Sequence, residues 1–141
     1  MKSYHLPLLA ILLSVSFVGC ATTTGKAFET SESQVKLRAM QTRAFDTTDK
    51  KKLMQTVIST MQDLDFVIDK ADFVLGSVSG SKFLGNAVVQ MTVTVRPRGE
   101  KQLLVRANAQ YGIQSIEDAS TYQDFFASLE KALFLTAQQV D

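Results

Sequence analysis

The sequence predicts an α+β fold: a two-layer sandwich in which an antiparallel sheet of about four strands carries two helices on one face, in the order β-α-β-β-β-α. Two observations carry this expectation. Leu53, Met54, Val57, Ile58, Met61 and Leu64 recur at helical spacing, and so do Tyr122, Phe125, Phe126, Leu129, Ala132 and Leu133, which gives two apolar stripes that each need a surface to cover. Between them, Ala87–Val95 and Leu103–Tyr111 alternate apolar and polar residues, the period-two pattern of strands with one buried face. A one-faced sheet and two one-striped helices bury all of this by stacking.

The elements follow in order. Val35–Phe45 mixes apolar and basic residues in imperfect alternation, and is read as a first strand, bent or bulged. Asp46-Thr47-Thr48-Asp49 supplies helix-capping residues immediately before the first apolar stripe. That helix should end at Leu64-Asp65-Phe66 through a left-handed residue, a conformation Asp tolerates better than most non-glycines. Phe66-Val67-Ile68 then opens a strand, Asp69–Asp72 interrupts it, and Phe73–Lys82 continues it, with Val74 and Val78 on one face and Ser77, Ser79 and Ser81 on the other. Phe83-Leu84-Gly85-Asn86 is a hairpin turn with exposed apolar residues, placed to touch a partner or a membrane surface. Ala87–Val95 and Leu103–Tyr111 pair through the polar turn Arg96–Lys101. Ser115–Ala119 is a loop, and Ser120-Thr121-Tyr122-Gln123 has the spacing of a capping box for the last helix.

The N-terminus governs where this domain works. Lys2 precedes an uncharged apolar run from Leu8 to Val18 that closes on Gly19-Cys20, the plan of a secretory signal. The run is shorter than the roughly 20 apolar residues a spanning helix needs, and the polar Thr22-Thr23-Thr24-Gly25 follows it without a basic stop. Cleavage is therefore expected, with residues 1–19 removed, 20–33 as a flexible linker and 34–141 as one domain. A coil of thirteen residues averages roughly 20 Å end to end, which keeps the domain near its anchor.

Phe17-Val18-Gly19-Cys20 resembles the lipobox of bacterial lipoproteins, although Phe17 stands where Leu is usual. The resemblance implies diacylglycerol on Cys20, cleavage before it and acylation of the new N-terminus. More than one acyl chain gives stable anchoring without a transmembrane helix. Ala21, where inner-membrane lipoproteins of enteric bacteria commonly carry Asp, implies the outer membrane, facing the periplasm of a Gram-negative cell. From Met40 to Lys82, the runs MQTRAFDTTD, MQDLDFVIDKAD and LGSVSGSK resemble a family of small uncharacterised Gram-negative envelope lipoproteins, with Asp65 where that family tends to carry Gly. The resemblance implies no active site.

Composition narrows the chemistry. The chain has 15 Lys+Arg and 14 Asp+Glu. Loss of residues 1–19 removes only Lys2, so the mature chain balances at 14 and 14, with no electrostatic footprint for nucleic acid. The single His is His5 and the single Cys is Cys20. A mature domain without either type has no imidazole base, no thiolate nucleophile, no disulfide and no His/Cys zinc site.

Four features invite sharper readings. Lys50-Lys51-Lys52 could be a phosphate or headgroup patch, but three lysines at a helix start more often form a solvated face, and they are read as one. Asp63, Asp65, Asp69 and Asp72 suggest calcium, but lack the spacing and the turn glycine of an EF-hand. Gly76–Lys82 has a passing likeness to a phosphate loop without its spacing. Phe125-Phe126 is read as core rather than a partner surface. No metal and no cofactor is expected.

The function this supports is a lipid-anchored, non-enzymatic periplasmic binding or adaptor module of an envelope complex for assembly, efflux or secretion, with the membrane bound through Cys20 and an envelope protein as partner. The alternative is a small-ligand or lipid carrier with a pocket between sheet and helices, lined by Met54, Met61, Met91, Phe125 and Phe126. An enzyme limited to carboxylate, Ser or Tyr chemistry is the third reading.

Overall fold

A computed structural model describes residues 33–138. The expected signal segment 1–19, the lipidated Cys20 and the linker as far as residue 32 lie outside the described residues. The chain divides into two units, Met1–Gln34 and Val35–Asp141, and the fold described below belongs to the second.

The protein is α+β, with an antiparallel sheet of six strands and three helices. Helical backbone over residues 33–40 (α1) leads to β1 (Thr42–Phe45), α2 (Lys50–Asp63), β2 (Val67–Asp72), β3 (Ser77–Leu84), β4 (Ala87–Arg98), β5 (Gln102–Tyr111), β6 (Gln114–Ser115) and α3 (Ala119–Gln138). The sheet order is β1-β5-β4-β3-β2, and β6 pairs with β5 beyond the end of β1.

Four features differ from the sequence reading. Residues 35–40 are helical, so the expected first strand shrinks to Thr42–Phe45 and helical backbone is already present at residue 33. Leu37 and Gln41 are buried at a spacing of four, joined by a bond from Gln41 N to the Leu37 carbonyl, while Lys36, Arg38 and Ala39 are exposed. This is a helical period that a strand would have split between its faces. The segment 66–82 is two strands rather than one interrupted strand. Asp69–Asp72 stays in β2 at the sheet edge, where a bulge between Ile68 and Lys70 absorbs the irregularity. The reversal falls instead at Phe73–Gly76, where Asp72 Oδ1 accepts from Leu75 N at 2.8 Å and Gly76 adopts φ +73°. The loop expected at Ser115–Ala119 begins inside a further short strand, β6, after the turn Gly112-Ile113. Finally, Asp118 caps α3, taking bonds from Ser120 Oγ and from Thr121 N, so the expected cap at Ser120 lies inside the helix.

Other expectations hold. Asp49 caps α2, its Oδ1 accepting from Lys52 N at 2.9 Å. Asp65 takes φ +66° at the helix end. Phe66 N bonds to the Met61 carbonyl and Asp65 N to the Gln62 carbonyl, which is the paired pattern of a Schellman motif. The hairpins β3–β4 and β4–β5 form as read, although the second turn tightens to Gly99–Lys101 because β4 runs on to Arg98.

One face of the sheet supplies Val78, Met91, Val93, Val95, Leu103, Val105, Ala107 and Ala109 to a buried cluster. Leu53, Met54, Val57 and Met61 of α2 and Tyr122, Phe125, Phe126 and Leu129 of α3 enter the same cluster. Each large side chain removed from water there contributes about 1.5–3 kcal/mol, so this shared interior holds the helices to the sheet. Close approach also demands a small residue at Gly80, where a Cβ would lie 2.8 Å from the Val67 carbonyl and 3.0 Å from Met61 Cε.

Candidate functional site

Chain direction sorts the loops into two ends of the sheet. One end collects the close of α2, the β3–β4 turn, the β5–β6 turn and the start of α3, because β3 and β5 run toward it and β4 leaves it. There an apolar cleft of about 300 Å³ opens, lined by Leu64, Phe66, Lys82, Leu84, Val89, Met91, Ile116, Thr121 and Asp124.

Local chemistry places each wall. The Schellman ending of α2 turns the chain at Asp65 and drops Phe66 into the floor, buried. It leaves the Leu64 carbonyl without a helical donor, and Lys82 Nζ donates to that carbonyl at 3.0 Å. Lys82 also lies 3.5 Å from Asp65 Oδ2 and 6.0 Å from the centre of the Phe66 ring. Asp65 is 84% exposed, so that ion pair adds little, and the carbonyl bond fixes the lysine. On the far wall, Ile116 is tied down by its N–H to the Ala109 carbonyl at 2.9 Å and by its own carbonyl, which accepts from the Tyr122 hydroxyl at 2.5 Å. Asp118, one turn from the cleft, is held below the ordinary aspartate range, first by the Ser120 hydroxyl and then by the Thr121 N–H.

This end of the sheet is apolar and open. Phe83 is 67% exposed and Leu84 54%, Val88 and Tyr111 are also exposed, and Ile113 is fully so. Register sorts them by face: Leu84 and Tyr111 fall on the cleft side with Val89 and Met91, whereas Phe83 and Val88 pair on the opposite face of the same end. The two turns between them put glycine first, Gly85 at φ +62° and Gly112 at φ +57°, as two-residue hairpin loops of type II′ require. Isolated exposed apolar residues are ordinary, whereas a contiguous group around a concavity marks an interaction site.

The expected exposed turn at Phe83–Asn86 thus gives Leu84 to the cleft and Phe83 to the opposite face of the sheet. The sequence does not single out Ile113, Ile116 or Asp124 as site residues, and singles out Lys82 only within the phosphate-loop likeness; strand register and the packing of α3 bring them to this end. The expected pocket residues Met54, Met61, Phe125 and Phe126 are packed in the interior, and of that set only Met91 reaches the cleft. Gly76–Lys82 is a turn residue followed by strand β3, its backbone committed to the ladder with β4. Three of the four aspartates take separate tasks: Asp65 faces Lys82, Asp69 accepts from Ser81 Oγ at 2.7 Å, and Asp72 stabilises the β2–β3 turn. Among the described residues no group of three or more His, Cys, Asp or Glu side chains is placed to hold a metal, and no helix is long and apolar enough to cross a membrane.

The second sheet face carries Ser77, Ser79, Gln90, Thr92, Thr94, Arg106, Asn108 and Gln110 in cross-strand rows. Gln110 Nε2 donates to Gln90 Oε1 at 2.9 Å. No family model matches the chain, and no curated protein matches it.

Proposed function

We propose that the protein is a lipid-anchored, non-enzymatic binding module of the bacterial envelope, and that it seats an apolar segment of a partner protein in the end cleft. The observation that carries this is the 300 Å³ apolar concavity with exposed Leu84 in its wall and exposed Tyr111 and Ile113 at the same end of the sheet. That volume stands at the bottom of the range of about 300–1,000 Å³ used for small ligands, and exposed apolar residues continue beyond the cleft at the same end of the sheet. A protruding side chain or short loop of a partner covers both the cleft and the residues beyond it, whereas an enclosed small ligand leaves those residues wet. On this reading the fold is a two-layer sandwich whose polar sheet face remains in water.

The anchoring half rests on Cys20 at the close of the apolar run and on its lipobox resemblance. The acyl chains on Cys20 hold the domain at the periplasmic face of the outer membrane, and the linker sets its reach. The absence of His and Cys from a chain cut before Cys20, apart from that anchor, agrees with a module that binds rather than reacts.

The tests separate the two halves. Cys20→Ala should release the protein from the membrane fraction into the soluble periplasm, and unchanged fractionation contradicts the anchor. Leu84→Glu with Ile113→Glu should abolish recovery of the partner from crosslinked cells while leaving fractionation unchanged. A carrier role in the same cleft predicts instead a retained small ligand in native mass spectrometry, lost in the same double variant.

A further inference from the structure

The opposite end of the sheet carries a second exposed apolar feature, set among cations. In the β2–β3 turn Phe73 is 43% exposed, Val74 89% and Leu75 70%. Four bonds hold this tip outward: Leu75 N to Asp72 Oδ1 at 2.8 Å, Gly76 N to the Asp72 carbonyl at 2.8 Å, Lys50 Nζ to the Val74 carbonyl at 3.0 Å, and Val95 N to the Gly76 carbonyl at 2.7 Å. Three consecutive apolar residues are thus displayed on a fixed scaffold, with their ordering entropy already lost on folding.

We propose that this turn is a membrane-surface contact, its apolar tip entering the headgroup region of a bilayer that carries anionic phospholipid. Charge complementarity selects that occupant. Lys50 and Lys51 line the hollow beside Phe73. Arg96 follows directly on Val95, which bonds the turn, and Arg98 and Lys101 extend the basic surface through the adjoining hairpin, all three exposed. Three of the carboxylates at this end are turned to internal donors, Asp49 to Lys52 N, Asp46 to Gln102 Nε2, and Asp72 to Leu75 N, and Glu100, exposed in the hairpin turn, is outnumbered there by Arg96, Arg98 and Lys101. An apolar tip ringed by Lys and Arg is the arrangement that binds interfaces, the side chains entering the acyl boundary while the cations meet phosphates. This contact does not depend on the cleft, which lies at the other end, or on the identity of any partner.

The chain contains no Trp, so Leu75→Trp installs a single reporter at an exposed position. The full chain carrying it is reconstituted into vesicles of phosphatidylcholine with phosphatidylglycerol, and into vesicles of phosphatidylcholine alone. Far-UV circular dichroism matching the parent checks that each variant is folded. The expected result is blue-shifted emission quenched by brominated lipid in the anionic vesicles, with the shift lost in phosphatidylcholine alone and on adding Lys50→Glu and Lys51→Glu. Ile113→Trp, at the other end, should stay unshifted and unquenched. Water-like, unquenched emission from Leu75→Trp in anionic vesicles overturns the proposal. So does equal quenching of Ile113→Trp, as unoriented adsorption gives, and so does quenching that survives the lysine reversals.

Discussion

Gln41 and Tyr122, 81 positions apart in sequence, share a buried hydrogen bond of 3.1 Å from the glutamine Nε2 to the tyrosine hydroxyl. The same hydroxyl accepts from Ala109 N at 3.3 Å and donates to the Ile116 carbonyl at 2.5 Å. One oxygen therefore joins the α1–β1 junction, strand β5, the far wall of the cleft and the first turn of α3. Removing it leaves a buried amide and two backbone groups short of a partner. Tyr122→Phe is expected to lose about 1–3 kcal/mol of unfolding free energy, measured by urea denaturation, and a loss below about 0.5 kcal/mol contradicts this role.

The turn that displays Phe73–Leu75 depends on Gly76 in two ways. Its φ of +73° is left-handed, and a Cβ there would lie 2.4 Å from the Val95 carbonyl. Gly99 has φ +61° with open space around it. Gly99→Ala should therefore cost only the left-handed penalty of about 1–2 kcal/mol. Gly76→Ala should cost more, because the backbone of β4 must also move, and thermal melts of the two variants should fall in that order.

The α3 cap gives a pH signature. The Asp118 carboxyl is held below the usual aspartate value of about 3.9 by the Ser120 hydroxyl and the Thr121 N–H. A depressed folded-state pKa contributes stability above the unfolded value, and that contribution disappears as pH falls through the folded one. Asp118→Ala should lower the melting temperature at pH 7, and the gap from the parent should close as acid protonates the cap. A gap that is constant with pH contradicts capping by the ionised form.

Legibility in the sequence followed how far each signal depends on neighbours in the chain. The stripes of α2 and α3, the alternation of β4 and β5, the Asp49 cap and the left-handed Asp65 are local, and all stand in the structure. Val35–Met40 misled because Leu37 and Met40 among basic residues fit a short strand as well as one helical face, and only burial of Leu37 and Gln41 decides. The run Asp69–Asp72 reads as a break because an edge strand exposed on both sides loses its period of two, and here a bulge carries it through. Asp118 and Ser120 are both capping residues two positions apart, and composition does not choose between them. The apolar Phe83-Leu84 turn was visible as exposed surface, whereas the cleft is made by long-range register between segments that carry no common motif.

The central claim, that the cleft end docks a partner, is tested most directly by a photo-crosslinking residue placed at Ile113 and, as control, at the exposed Thr92 of the polar sheet face, both in living cells. The account predicts a discrete protein adduct from position 113 that Leu84→Glu abolishes, and none from position 92. No adduct from 113, or an equal adduct from 92, would contradict it.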